Sequence, residues 1–392
     1  MRGGTRVEVV YPLASYGRTL AEDVVALENI PPFPTSHMDG FAVASAGLLL
    51  ATPAHPVGLK IVGSAGPGEP SRITIGRGEC VRVATGAGIP VGADAVAPVE
   101  SVTVRGQKIT VGFSPEPGSH IFKAGEDIAK GELLLKKGRV LKAADIGLLI
   151  GLGRRGVRVF RRPKVSILPT GGELAPADHP RAGKVTESHS PVFQRLCEAM
   201  GCEVSVLRVV GDEPKRLSKA LRGALATSDL VLTLGGTSVG RRDLIVDVAS
   251  RLNPSVLIHG LKLDRGRVTG LALIGGRPVL MMPGPIQAAM NAFLMVGAPL
   301  VEGLSGRRPG RTGILCTLAE GWTARKRFSD FQKVVYVKLR DGSPMQAQPL
   351  AGETESIRLL TDSDGYFVVP ERVAHLDKGS TVEVRFPPCS FC

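Results

Sequence analysis

The residues Leu234-Gly235-Gly236-Thr237-Ser238-Val239-Gly240 follow an apolar strand pattern and lead into a helical one. At such a junction backbone N–H groups and two hydroxyls converge on a helix N-terminus, a geometry that binds phosphate or another oxyanion. A tight strand–helix turn without a ligand would use the same glycines. Asp243 opens the helix, with Arg241-Arg242 beside it as groups to screen or clamp an anion. Two more loops follow strand patterns, Thr170-Gly171-Gly172-Glu173-Leu174 and Asp212-Glu213-Pro214. Singly, Glu173, Asp212 and Asp243 read as caps, because acids favour helix starts. Delivered together to one sheet edge beside a Gly-rich loop, they point to a hard-cation site such as Mg²⁺ serving a phosphorylated ligand. The one literal G-x-G-x-x-G, Gly151 to Gly156, has a helix before it and a strand after it. That reverses the dinucleotide-binding order, so it reads as a turn. Cys389 and Cys392 form a lone C-x-x-C at the terminus, without a second pair, and read as tail thiols.

The elements that must position these loops alternate from Pro163 onward. Lys164–Leu168 reads as a strand, and Ser190-Pro191 as the N-cap and first residue of a helix that Gly201 stops. Glu203–Val209 is a strand. Pro214–Ala226 is a helix with Leu217, Leu221, Ala224 and Leu225 inward, and Asp229–Leu234 another strand. A helix follows at about 241–251, then strands Leu271–Ile274 and Val279–Met282 and a helix opened by Pro285. Such alternation predicts a parallel sheet covered on both faces. Short β-branched runs at Gly58–Gly63, Cys80–Ala84, Ala95–Val99 and Lys108–Phe113 predict a small β module, and residues beyond Arg307 are β-like again. The fold class is α/β plus β and multidomain. It has a central doubly wound parallel α/β domain (158–306), an inserted β domain (48–118) and a C-terminal β domain (307–392). A discontinuous N-terminal or linker domain takes in 1–47 and 119–157.

Length and composition bound the reading. A chain of 392 residues exceeds what one hydrophobic core organises. Lys and Arg exceed Asp and Glu by 49 to 36, a formal charge of +13, which favours anionic partners. Aromatics are only 4% with a single Trp, and no nucleic-acid-reading motif accompanies the charge, so nucleic acid is not expected as a partner. No uninterrupted apolar run reaches the ~18 residues a membrane span needs. Arg2, Arg6 and Glu8 stand where a signal peptide would need a clean apolar stretch. A cytoplasmic protein without membrane contact is expected.

Five blocks carry a resemblance. Pro31 to Ala42, with Met38-Asp39-Gly40-Phe41-Ala42 at its end, resembles the "P-F-x-x-S-x-M-D-G-Y-A" signature of the molybdopterin molybdenumtransferase family, which includes MoeA and the E domain of gephyrin. Thr85-Gly86-Ala87 with Ala93-Asp94-Ala95-Val96, Gly125-Glu126-Asp127, Thr170–Leu174 and Gly235 to Asp243 are similar to its further motifs, in order, over about residues 12–370. The resemblance implies hydrolysis of adenylylated molybdopterin, with release of AMP, and insertion of molybdate or tungstate into its dithiolene, with Mg²⁺. It implies catalytic positions at Asp39, Thr85, Asp127, Glu173, Asp212 and Asp243, the last three as metal ligands. Cofactor-binding positions are implied at Thr170, Gly171, Gly235, Gly236, Thr237, Ser238, Gly240, Pro283, Gly284 and Ser356. A homodimer is the implied assembly, with molybdopterin adenylyltransferase and molybdoenzyme or tungstoenzyme apoproteins as partners.

The chain also departs from the pattern. "P-G-N-P" reads Pro283-Gly284-Pro285-Ile286, and "K-P-G-K-P" reads Asp264-Arg265-Gly266-Arg267-Val268. A second lysine position holds Gly260, and Phe122 stands where an arginine precedes the Gly-Glu-Asp block. An acid at 264 is expected to weaken oxyanion binding. A catalytically weakened paralogue that binds molybdopterin or acts as a scaffold is therefore the alternative reading.

Overall fold

The computed structural model describes residues 6–236, 243–307 and 313–388. Thr237, Ser238, Gly240, Arg241, Arg242, Cys389 and Cys392 lie outside them. The chain divides into two compact units, Asp23–Lys136 and the remainder, Met1–Glu22 with Lys137–Cys392.

The smaller unit is built on a six-stranded sheet in the order Ala95–Pro98, Gly40–Val43, Glu79–Val83, Val57–Ala65, Lys108–Val111, Val102–Arg105. The sheet takes in Gly40–Val43, upstream of residue 48. Phe41, Val43, Leu48, Cys80, Ile109 and Val111, all fully buried, form the centre of its core. The glycine of the Met-Asp-Gly block has a steric cause. A Cβ on Gly40 would lie 2.3 Å from the Ala97 carbonyl oxygen, so only glycine lets this strand pair closely with Ala95–Pro98.

In the larger unit, Val7–Val10 pairs antiparallel with Val157–Phe160, the strand that follows the helix Ala143–Gly151. The main sheet runs Glu203–Val206, Lys164–Pro169, Leu230–Leu234, Arg277–Met282, Gly270–Ile274, Val256–His259. Its first four strands are parallel. The last two pairings are antiparallel: Gly275-Gly276, both at positive φ, closes a tight hairpin between Gly270–Ile274 and Arg277–Met282, and Val256–His259 pairs antiparallel with Gly270–Ile274 at the edge. Leu217, Leu221, Ala224 and Leu225 of helix Pro214–Thr227 are buried against this sheet, as their 3.6-residue spacing predicts.

Two local expectations change. The helix expected from Ser190 starts at His189, and it is Glu187, 8% exposed, whose Oε1 accepts from the N–H groups of His189 (2.9 Å) and Ser190 (2.8 Å). Ile286–Ser305 forms a run of 20 helical residues, long and apolar enough by composition to cross a membrane. Its residues Ile286, Ala289, Ala292, Phe293 and Val301 are buried in the sheet core, which accounts for the apolar composition.

The C-terminal strands Gly313–Leu318, Gln346–Pro349, Lys333–Arg340, Gly365–Val369 and Thr381–Arg385 close a barrel. Val334, Tyr336 and Tyr366 join the core of the α/β sheet, and Tyr336 Oη donates to Asn291 Oδ1 at 2.8 Å. A buried, satisfied hydrogen bond of this kind stabilises by about 1 kcal/mol net.

Candidate functional site

The carboxyl ends of the parallel strands converge on Gly235. Its N–H donates to the Met282 carbonyl (3.1 Å), while Thr170 donates to the Leu234 carbonyl through both its N–H (2.8 Å) and Oγ1 (3.1 Å). Gly235 and Gly236 have φ of +87° and +74°, and a Cβ on Gly235 would sit 2.4 Å from the Thr170 oxygen. Glycine is thus required for the turn itself. Gly284, after Pro283, packs beside the turn: a Cβ there would be 3.9 Å from the Gly235 Cα, an ordinary contact. Thr170, Gly171, Gly235, Gly236, Pro283 and Gly284 therefore form one loop cluster. Thr237, Ser238 and Gly240 fall outside the described residues.

The expected carboxylates take up different roles. Asp212 Oδ2 accepts from the Gly172 N–H at 3.0 Å, so it holds the loop that carries Glu173. Lys184 Nζ also donates to the Gly172 carbonyl, at 2.5 Å. Asp243 Oδ2 meets His259 Nε2 at 2.7 Å, while its Oδ1 is buried with no hydrogen-bond partner among the described residues. Among the described residues, no three of His, Cys, Asp and Glu form a metal cage. Mg²⁺ does not require one, because it keeps waters and binds through one or two carboxylates plus phosphate oxygens. The orphan Asp243 oxygen fits that donor set, and His259 keeps the second oxygen occupied. Ser356 Oγ accepts from the Leu359 N–H at 3.3 Å as a helix cap, which leaves its hydroxyl hydrogen available.

A cavity of about 460 Å³ opens beside the loop cluster. Arg265, Arg267 and Arg325 line it, opposed by Glu173, Asp264 and Glu355. Mixed charge of this kind suits an anion that arrives with a cation. Asp264 does not project alone into the cavity: its side chain is 13% exposed and ion-paired with Arg325 from the C-terminal domain. Arg325 also lies over the Phe328 ring at 4.7 Å, with Arg267 at 5.8 Å. Arg265 bonds Gln287 and the Gly352 carbonyl. Burial, then repulsion from Arg325, holds its guanidinium pKa below the usual value. A second cavity of about 410 Å³ adjoins, lined by Thr170, Glu173, His189, Gly235 and Gly284.

In the smaller unit, Asp39 Oδ1 accepts from both the N–H (2.7 Å) and Oγ1 (3.0 Å) of Thr85. These bonds hold the Asp39 carboxyl below the usual carboxylate range. The structure thus joins Asp39 to Thr85. Asp127 is exposed on a loop fixed by its own N–H to the Ile30 carbonyl (3.1 Å). Asp94, in the Ala-Asp-Ala-Val block, is structural: its carboxylate caps Ser45 N–H (2.6 Å) and Oγ (2.7 Å). His259 and Arg325 escape sequence reading because their partners lie on other elements, although Arg325 falls in a visible basic run, Arg325-Lys326-Arg327.

Comparison with known proteins agrees with this architecture. Residues 3–153 match the MoeA N-terminal region (domains I and II), 166–303 a probable molybdopterin binding domain, and 316–386 the MoeA C-terminal region (domain IV). The molybdopterin molybdenumtransferase of Staphylococcus aureus is 31% identical, over 81% of this chain and 76% of its own. Molybdopterin molybdenumtransferase 2 of Mycobacterium tuberculosis is 27% identical over 96% and 94%. The crystal structure of the molybdopterin biosynthesis MoeA protein of Pyrococcus horikoshii superposes with a TM-score of 0.84 at 30% identity, covering 97% and 94% of the two chains. With this domain order, these relatives and this fold, the chain belongs to the molybdopterin molybdenumtransferase (MoeA) family.

Proposed function

We propose that this protein is a transferase of molybdenum cofactor biosynthesis that inserts molybdate, or tungstate, into adenylylated molybdopterin and releases AMP. One observation carries the reading: a glycine-forced strand–helix turn opens onto a cavity lined by three guanidiniums and by acids. The Gly235 N–H is taken by the Met282 carbonyl, so within the described turn it is the Gly236 backbone that would meet phosphate, as strand–helix glycine turns do. The Arg265, Arg267 and Arg325 forks match oxyanion oxygens. Mg²⁺, when bound, supplies positive charge at the phosphate oxygens, and Asp243 Oδ1 with Glu173 would hold it. His259 orients Asp243, Asp212 orients the Glu173 loop, and the arginines hold the metal oxyanion against the dithiolene. A water oxygen replaces the adenylate on phosphorus and AMP leaves with the bridging oxygen. The two thiols then bond to the metal, and one oxo ligand of the oxyanion leaves with their two protons as water. The Asp264–Arg325 pair weighs against a weakened paralogue, because the acid is neutralised within the site. Asp39, Thr85 and Asp127 complete the site from the partner in a homodimer.

The test is incubation with adenylylated molybdopterin, molybdate and Mg²⁺, following AMP release and molybdenum bound to the pterin. Stoichiometric AMP with metal insertion is expected. Saturable binding of the adenylylated substrate without AMP release overturns the enzymatic reading in favour of a binding protein.

A further inference from the structure

Next to the arginine-lined cavity lies a larger one of about 670 Å³, and Asp264, Arg265 and Arg325 stand in the walls of both. Its chemistry is different. Of the described residues of the glycine turn, neither Gly235 nor Gly236 lines it, and its walls include Val334, Val335, Pro349 and Leu350. Trp322, the only tryptophan of the chain, lines it while also packing against the barrel core. Glu320, exposed, brings a carboxylate. Lys333 brings a cation that is 2% exposed. Its Nζ donates to the carbonyls of Ser329 (2.6 Å) and Val373 (2.9 Å), which leaves one of three N–H groups for a ligand.

A flat indole face, an acid and a buried ammonium together suit a planar heterocycle with an amide-like edge. The 2-amino-4-oxo edge of a pterin is such an edge: its amino and ring N–H groups donate to a carboxylate, and its oxygen accepts from an ammonium. We propose that this cavity holds the pterin ring of the substrate against Trp322, with Glu320 accepting from the 2-amino and N3 hydrogens and Lys333 donating to the 4-oxo group. The inference rests on the functional reading above and gives the substrate a direction. In molybdopterin the dithiolene lies between the ring and the phosphate. With phosphate at Gly235–Gly236 and the oxyanion at the arginines, the ring is left on the Trp322 side.

The lone tryptophan makes the test direct. Titration of the intact protein with 6-hydroxymethylpterin should quench Trp322 emission saturably, and AMP should not. Energy transfer can quench from a distance, so calorimetric affinity is measured in parallel. Glu320→Gln, on an exposed residue whose carboxylate meets Gln348 Nε2 at 3.4 Å, should raise the pterin Kd roughly tenfold, about 1.4 kcal/mol. Trp322→Leu should weaken pterin binding too. AMP release by the wild type is assayed alongside. A wild type that turns over while pterin affinity is indifferent to Glu320→Gln overturns the pterin site and leaves the function standing. Quenching by AMP in place of pterin overturns the proposed direction. Absence of AMP release strikes the functional reading instead.

Discussion

The Asp243 carboxylate directs one oxygen to His259 and leaves the other buried without a hydrogen bond from any described residue. An unpaired buried acceptor costs about 1–3 kcal/mol, a cost a bound cation would remove. Asp243→Asn keeps the shape and removes the charge. It is expected to cut Mg²⁺-dependent AMP release by about 100-fold or more, on the order of 3 kcal/mol of barrier, while the organic substrate still binds. Equal AMP release by mutant and wild type would assign Asp243 to helix opening alone. Asp264 leads to a changed expectation. Read from sequence it is an acid facing an oxyanion; in the structure it holds Arg325. Because Arg325 is half exposed, the pair itself contributes about 1 kcal/mol or less. Asp264→Lys would release Arg325 and set a third cation beside Arg265. Molybdate affinity measured by equilibrium dialysis should therefore fall several-fold, and a rise would return Asp264 to a purely repulsive role.

At the level of elements, helix His189–Ala199 depends on a residue outside it. Glu187→Ala removes the acceptor of two N–H groups and should cost about 1 kcal/mol in denaturant unfolding. The same helix start carries a pH dependence. Burial holds His189 below the ordinary histidine value of 6.5, against the opposing pull of Glu187 and of a hydrogen bond with the Gly284 backbone. The unfolded chain then binds the proton more readily, so this contribution is complete above pH 6.5 and declines as pH falls toward the folded value. His189→Gln should flatten stability against pH in that window, and an unchanged slope would clear His189 of the effect. In the smaller unit, Gly40→Ala forces a carbon to 2.3 Å from the Ala97 oxygen. It should destabilise by about 1–3 kcal/mol in thermal unfolding and loosen the Asp39–Thr85 contact beside it. Helix Pro214–Thr227 was legible because burial of one face imposes its periodicity, and strands Lys164–Pro169 and Leu230–Leu234 because burial on both faces makes them short continuous apolar runs. Strand Val256–His259 was not: it is an edge strand whose four residues are all exposed, so nothing forces alternation. Its neighbour Gly270–Ile274 was read as a strand, and the Gly275-Gly276 dipeptide before Arg277–Met282 is the signal that those two strands pair antiparallel. The glycines of the site were legible because a turn demands them. His259 and Arg325 were not, since pairing with Asp243 and Asp264, far away in the chain, depends on how elements stack.

For the whole molecule, the candidate residues divide between the two compact units, Asp39, Thr85 and Asp127 in one and Glu173, Asp212, Asp243 and the Gly235 turn in the other. In the proposed homodimer each site draws one set from each subunit, and a two-fold axis generates two such sites. Mixing two variants then tests the assembly. Asp39→Ala and Asp243→Asn homodimers each lack one component at both sites and should be nearly inactive. A heterodimer of the two concentrates both lesions in one site and leaves the other intact. Equal mixing under subunit exchange gives about half heterodimers, each with one working site of two, so about a quarter of wild-type AMP release should return. Sedimentation at micromolar concentration should show a dimer throughout. If each chain instead built its sites from its own two units, every site in the mixture would carry a lesion. Activity would then stay at the level of the separate variants, and a monomer in sedimentation would independently exclude the shared site.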